Sequence, residues 1–144
     1  MKIKALKFTK KTAIAIILAF SVLLAGVVLA VSKTPAEDVG TTEGRVAYLS
    51  ALGWEVDPAT ELSEVIILSR VFDGVMLTYN RMQQAQGFDL SLYAGRECTR
   101  YIYKVINYPN SDDTVLAQLF ICGNRVVGGD IHSTALDGFM HGLK

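Results

Sequence analysis

Hydrophobic and polar positions follow three different rhythms along this chain. From Ala13 to Val31 the stretch AIAIILAFSVLLAGVVLAV runs 19 residues without a charge, broken only by Ser21 and Gly26. At about 1.5 Å rise per residue, a helix of that length reaches roughly 28 Å, close to the thickness of a bilayer's hydrocarbon core. Residues 1–12 before it carry Lys2, Lys4, Lys7, Lys10 and Lys11 and no acid. Lysines beside an apolar span stay on the cytoplasmic side, so the pattern predicts a basic inner tail, a membrane helix over 13–31 and an extracytoplasmic remainder. The lipid bilayer is then the first expected partner. The segment Leu23-Leu24-Ala25-Gly26 has the look of a lipoprotein processing site, but Val27 stands where the lipid-bearing Cys would be. Ala30 and Ser32 are spaced like a signal-peptidase site, so secretion after cleavage near Ser32 is the alternative to retention. The length of the span favours retention, since signal peptides usually have apolar cores of about 7–15 residues.

The second rhythm is helical. After a polar linker over 32–41, punctuated by Pro35 and Gly40, Thr41 or Thr42 is placed to cap a helix with Val46, Leu49 and Leu52 on one face and Gly53 at its end. A second helix is expected from a Ser69 cap to about Gln86, with Val71, Phe72, Val75, Met76, Tyr79 and Met82 as its apolar stripe. Such a stripe is expected to cover a sheet rather than bind a cofactor. In GFDLSLYAG, Phe88, Leu90 and Tyr93 are expected to plug one end of the core.

The third rhythm is alternation. Glu64 to Leu68 reads as a short strand after a break at Asp57-Pro58. Glu97–Ile106, Thr114–Cys122 and Arg125–Ser133 read as a meander, with Gly123-Asn124 as a two-residue hairpin turn. Setting Ile106 opposite Thr114 brings Tyr101 to Leu119, Tyr103 to Ala117 and Val105 to Val115, with Arg100, Lys104 and Gln118 on the other face. The same register sets Cys98 opposite Cys122. Outside the cytoplasm that pair is placed for a disulfide, and two unpaired thiols are the alternative. Gly128-Gly129 is expected to admit a bulge that turns Ile131 inward and Asp130 and His132 outward. In the tail, Leu136, Phe139, Met140 and Leu143 suggest a final core helix or an apolar docking patch. The fold class is therefore α+β: an N-terminal transmembrane helix, then a domain over 42–144 with two helices on an antiparallel sheet of about four strands.

Charge changes the picture once the chain is divided. The formal net charge is zero, but residues 33–144 hold 9 Lys/Arg against 14 Asp/Glu, a balance of −5. An acidic outer domain without a basic stripe argues against nucleic acid as a partner. Asp130, His132, Asp137 and His141 are the one set of ligand-type side chains in the tail, and imidazole with carboxylate suits Zn²⁺. Their spacing matches no established metal site, and the plainer reading makes them strand-end polar residues in solvent or tied to backbone. No phosphate-cradling glycine pattern and no GxSxG elbow occurs, so no catalytic residue and no cofactor are assigned.

The strings RVAYLSALGWEVDP, YNRMQQAQGFDLSLYAG, RYIYKVINYP, VVGGD and LDGFMHGL, in that order, resemble an uncharacterised bacterial family of Clostridia and related Firmicutes, domain-of-unknown-function family 4830. The resemblance implies a membrane-anchored extracytoplasmic protein and no particular chemistry. Two functions are carried forward: a non-catalytic module that binds an envelope protein or peptide, and, as the alternative, a small hydrolase or metal-dependent enzyme using His132, His141 and nearby carboxylates.

Overall fold

The computed structural model of the protein describes residues 38–144. The basic tail, the span Ala13–Val31 and most of the linker lie outside the described residues, among which no helix is long and apolar enough to cross a membrane. In chain order the elements are α1 (Thr42–Ala51), β1 (Val56–Ile67), α2 (Gly74–Ala85), a 3₁₀ turn (Leu90–Tyr93), β2 (Glu97–Val105), β3 (Val115–Cys122), β4 (Arg125–Ser133) and β5 (Met140–His141). The strands form one open antiparallel sheet in the order β1-β2-β3-β4-β5. Each helix packs on its own face.

The α1 face holds the larger core. Leu49 packs with Tyr103, Val105, Val115, Ala117, Leu119, Ile121 and Ile131, and Val46 and Leu52 flank it as their spacing predicts. Thr41 caps α1, its hydroxyl accepting from the Gly44 N–H at 3.1 Å, and Gly53 ends the turn at φ +93. One charged side chain enters this core. Arg45, only 3% exposed, donates from Nε to the Tyr103 hydroxyl at 2.8 Å, from Nη1 to the Val39 carbonyl and from Nη2 to both Glu61 carboxylate oxygens. Its guanidinium lies 3.7 Å above the Tyr101 ring. A buried guanidinium is tolerable only when so fully paired, and this one pins α1 to β1 and β2.

The predicted hairpin register is the observed one, with Tyr101 opposite Leu119 and Tyr103 opposite Ala117. Cys98 and Cys122 are joined in a disulfide with their Cα atoms 4.4 Å apart, the separation of directly opposed strand residues. The 3₁₀ turn buries Leu90 completely, with Tyr93 packed beside it, and Phe88 packs against the α1-face core.

Four expectations need correction. β1 begins at Val56, not Glu64, because the chain passes Asp57-Pro58 through an irregularity in pairing rather than a break. The Asp57 side chain accepts the Ala59 N–H there, and Thr60 Oγ1 accepts the Lys104 N–H, so the ladder resumes at Leu62. α2 begins at Gly74, not after Ser69, whose hydroxyl is used in a local turn with Val71. The expected apolar stripe of α2 is only partly what it buries: Phe72 and Tyr79 pack against the core and Met76 and Met82 are half-buried, but Val75 is 85% exposed and Val71 is exposed, and the fully buried residues of the helix are Asn80 and Gln83. The tail is a strand rather than a helix, because Met140 and His141 pair with β4, and Leu136 stands wholly exposed in the turn before it.

Candidate functional site

The α2 face of the sheet can be read in rows across the strands. One row runs Leu62, Ile102, Gln118, Asp130, and the next runs Lys104, Leu116, His132, Met140. α2 reaches the Gln118–Asp130 end of the first row, while Leu62 at the other end is exposed. Tyr79 makes the crossing. Its ring meets Phe120 edge-on at 6.2 Å between centroids, and its hydroxyl donates to Asp130 Oδ2 at 2.5 Å.

Asp130 is completely buried, which costs several kcal/mol for a carboxylate unless its lone pairs are filled. Here three donors fill them. Gln118 Nε2 joins Tyr79 on Oδ2 at 2.9 Å, and His132 Nδ1 donates to Oδ1 at 2.7 Å. Burial first, and then the adjoining Asp130 carboxylate, push the Tyr79 phenol well above its ordinary range, so the phenol is held as donor. Tyr79 and Gln118 tie α2 and β3 to β4. The Asp130–His132 bond ties nothing distant, because the two residues are two apart on one strand. Its effect is on the imidazole: Nδ1–H is fixed toward the carboxylate and Nε2 is left as the outward nitrogen, with no partner among the described residues.

Beside His132 lies an apolar groove of about 590 Å³ between α2 and β5, lined by Gly74, Val75, Thr78, Tyr79, Met82 and Met140. Met140 is the cross-strand partner of His132, and Tyr79 forms both groove wall and Asp130 ligand. At the start of the described residues, Gly40 lies against Asn124 in the β3–β4 turn.

The bulge predicted at Gly128-Gly129 is found one residue earlier, at Val127, which is unmatched between the Phe120–Gly128 and Ile121–Val126 pairs. It has the predicted effect on facing: Ile131 enters the α1-face core while Asp130 and His132 take the opposite face. The expectation that these two lie in solvent or on backbone is corrected for Asp130, because the outward face at that point is roofed by α2. Asp137 and His141 do not join them. Asp137 is exposed in the turn before β5. His141 pairs with Ile131, so it lies on the α1 face, stacked on Phe139 at 5.7 Å and Tyr108 at 5.8 Å. Its Nδ1 donates to the Gly142 carbonyl at 2.8 Å and its Nε2 takes the Tyr108 hydroxyl at 3.1 Å, so both nitrogens are used. His132 and His141 thus lie on opposite faces of the sheet, and among the described residues no group of three or more His, Cys, Asp or Glu side chains is arranged to hold a metal ion. The spacing of residues 130 and 132 found the pair, but nothing local marked Tyr79 and Gln118 as its partners.

A family model described as a domain of unknown function, DUF4830, matches residues 48–131, a span that includes Tyr79, Gln118 and Asp130. No curated protein and no solved structure matches the chain.

Proposed function

The chain belongs to the DUF4830 family, and we propose that it is a non-catalytic binding module, held at the cell envelope by Ala13–Val31, that receives an apolar segment of an envelope protein or peptide in the groove beside His132. The observation that carries this reading is the apolar groove itself, whose wall includes Tyr79, a hydrogen-bond donor to Asp130, and Met140, the cross-strand partner of His132. A buried carboxylate spends one oxygen on holding His132, and the outward Nε2 then offers one directed polar contact beside an otherwise apolar lining, the usual composition of a recognition site. The five N-terminal lysines support an inside tail and an outside domain.

The test is site-specific photo-crosslinking in growing cells that make the full chain. A benzophenone side chain placed at Val75, on the groove wall, should give one discrete adduct, and the same group at the exposed Leu92 should not. Replacing Met82 with Glu should abolish the Val75 adduct. Equal labelling at both positions, or an adduct indifferent to Met82→Glu, would contradict the reading.

A further inference from the structure

Among the described residues, nothing pairs with the outer edge of β1. β1 is the terminal strand of the sheet, and no described residue bonds to the outward backbone groups of Leu62–Ile67. The same six residues expose Leu62, Val65 and Ile67, each about two-thirds accessible. Natural sheets guard such an edge with charge, proline or a bulge, because unpaired N–H and C=O groups will template another strand. The first half of β1 has these guards, in Pro58 and the irregularity between Asp57 and Leu62. The second half has only Glu64, and its carboxylate is already paired with Arg100 on β2.

We propose that this edge pairs with itself: two copies join their β1 strands antiparallel about a two-fold axis at Ile66, making one continuous sheet from two of five strands. The sequence of the edge selects both the occupant and the register. A two-fold axis perpendicular to the sheet keeps each face on its own side, so opposed residue numbers must sum to an even value. With the axis at Ile66, Ile66 opposes itself and Val65 opposes Ile67 of the second copy, twice, while Glu64 falls opposite Leu68. With the axis at Glu64, two carboxylates would stand directly opposite, which is repulsive. With the axis at Val65, Glu64 would face Ile66 and Ser63 would face Ile67, wasting both apolar pairs. With the axis at Ile67, the pairing would run past the end of β1 and set Val65 opposite Ser69. Of these registers, only the one at Ile66 gives both exposed residues, Val65 and Ile67, apolar partners inside the strand. β1 and β5 are opposite edges of the sheet, so the pairing leaves the groove beside His132 open.

The experiment uses the full chain in detergent, with mass measured by sedimentation, and the same chain in its own membranes. We expect twice the chain mass at tens of micromolar protein. Val65→Lys/Ile67→Lys should weaken the dimer by roughly tenfold or more, whereas Leu92→Lys, at an exposed site elsewhere, should leave it unchanged. A benzophenone side chain at Ile67 should yield a dimer-sized adduct joining one β1 peptide to another near Val65. A single-chain mass with no adduct, a dimer that survives Val65→Lys/Ile67→Lys, or an adduct to a different protein would each overturn the proposal.

Discussion

Gln83 grips Gly129 as a strand would. Its Oε1 accepts the Gly129 N–H at 2.9 Å and its Nε2 donates to the Gly129 carbonyl at 3.0 Å. β5 pairs only with Ile131 and His132 on the outer edge of β4, and the glutamine extends that cover to Gly129. Gln86 continues it, donating to the same carbonyl at 2.8 Å and accepting the Leu143 N–H at 2.7 Å. Gly129 has no room for a side chain here, since a Cβ would lie 2.4 Å from the Gln118 carbonyl oxygen and 2.6 Å from Leu143 Cδ1. Replacing Gln83 with Leu would leave the Gly129 N–H without its partner, while the carbonyl keeps Gln86, and we expect a loss of about 1–3 kcal/mol in urea unfolding. Gln83→Glu should also destabilise, because a carboxylate accepts the N–H but sets its second oxygen against the carbonyl.

Tyr79 joins α2 to the buried carboxylate. Tyr79→Phe removes one charge-assisted hydrogen bond and should cost about 1.5–3 kcal/mol. Asp130→Ala should cost more, since it strands Tyr79, Gln118 and His132 together. The check is a pair of chemical-denaturation curves with equal slopes.

Acid should loosen the fold in a defined window. Burial raises the pKa of the Glu61 carboxyl, but hydrogen bonds from Tyr103 and Arg45 outweigh it and hold it below its ordinary value. Asp89 is lowered too, by Ser91 first, then Asn80 and Gln84. A depressed folded-state pKa gives stability that is complete above the unfolded value, about 4, and is lost as pH falls through the folded value. The urea midpoint should therefore fall on the acid side of about pH 4, and Glu61→Gln/Asp89→Asn should flatten that fall.

The disulfide should be complete and stabilising. The bridged residues are 24 apart in sequence, and closing a loop of that size contributes about 3 kcal/mol. Mass spectrometry of unreduced protein should find no alkylatable thiol, and two after reduction. Cys98→Ala/Cys122→Ala should lower the unfolding free energy by about that amount.

The strand pairing that the sequence could reveal was local and redundant. In β2 and β3 the apolar alternation and the two cysteines demand one register, so the hairpin and its bridge were legible together. α2 was harder. Its valines suggested a buried stripe, yet the helix rests on Asn80 and Gln83, whose value comes from remote partners: the Leu90 N–H and the edge of Gly129. Polar residues that complete another element's backbone bonding carry no periodic signature. Arg45 was illegible for the same reason, since its partners Glu61 and Tyr103 lie 16 and 58 residues away. The tail misled because Leu136, Phe139, Met140 and Leu143 imitate helical spacing, whereas burial falls on Leu143 and a two-residue strand precedes it. At the candidate site, the facing of Asp130 and His132 followed from the bulge, but the roof over Asp130 depends on where α2 lands.

The reading of this domain turns on His132 being fixed by Asp130 with Nε2 outward. Nitrogen NMR of the full chain in detergent measures this directly. His132 should show a single tautomer with the proton on Nδ1 and a bare Nε2, and Asp130→Asn should disturb it while leaving His141 on its Gly142 carbonyl unchanged. A proton found on Nε2 of His132, or an imidazole averaging between tautomers in the unaltered chain, would contradict the account.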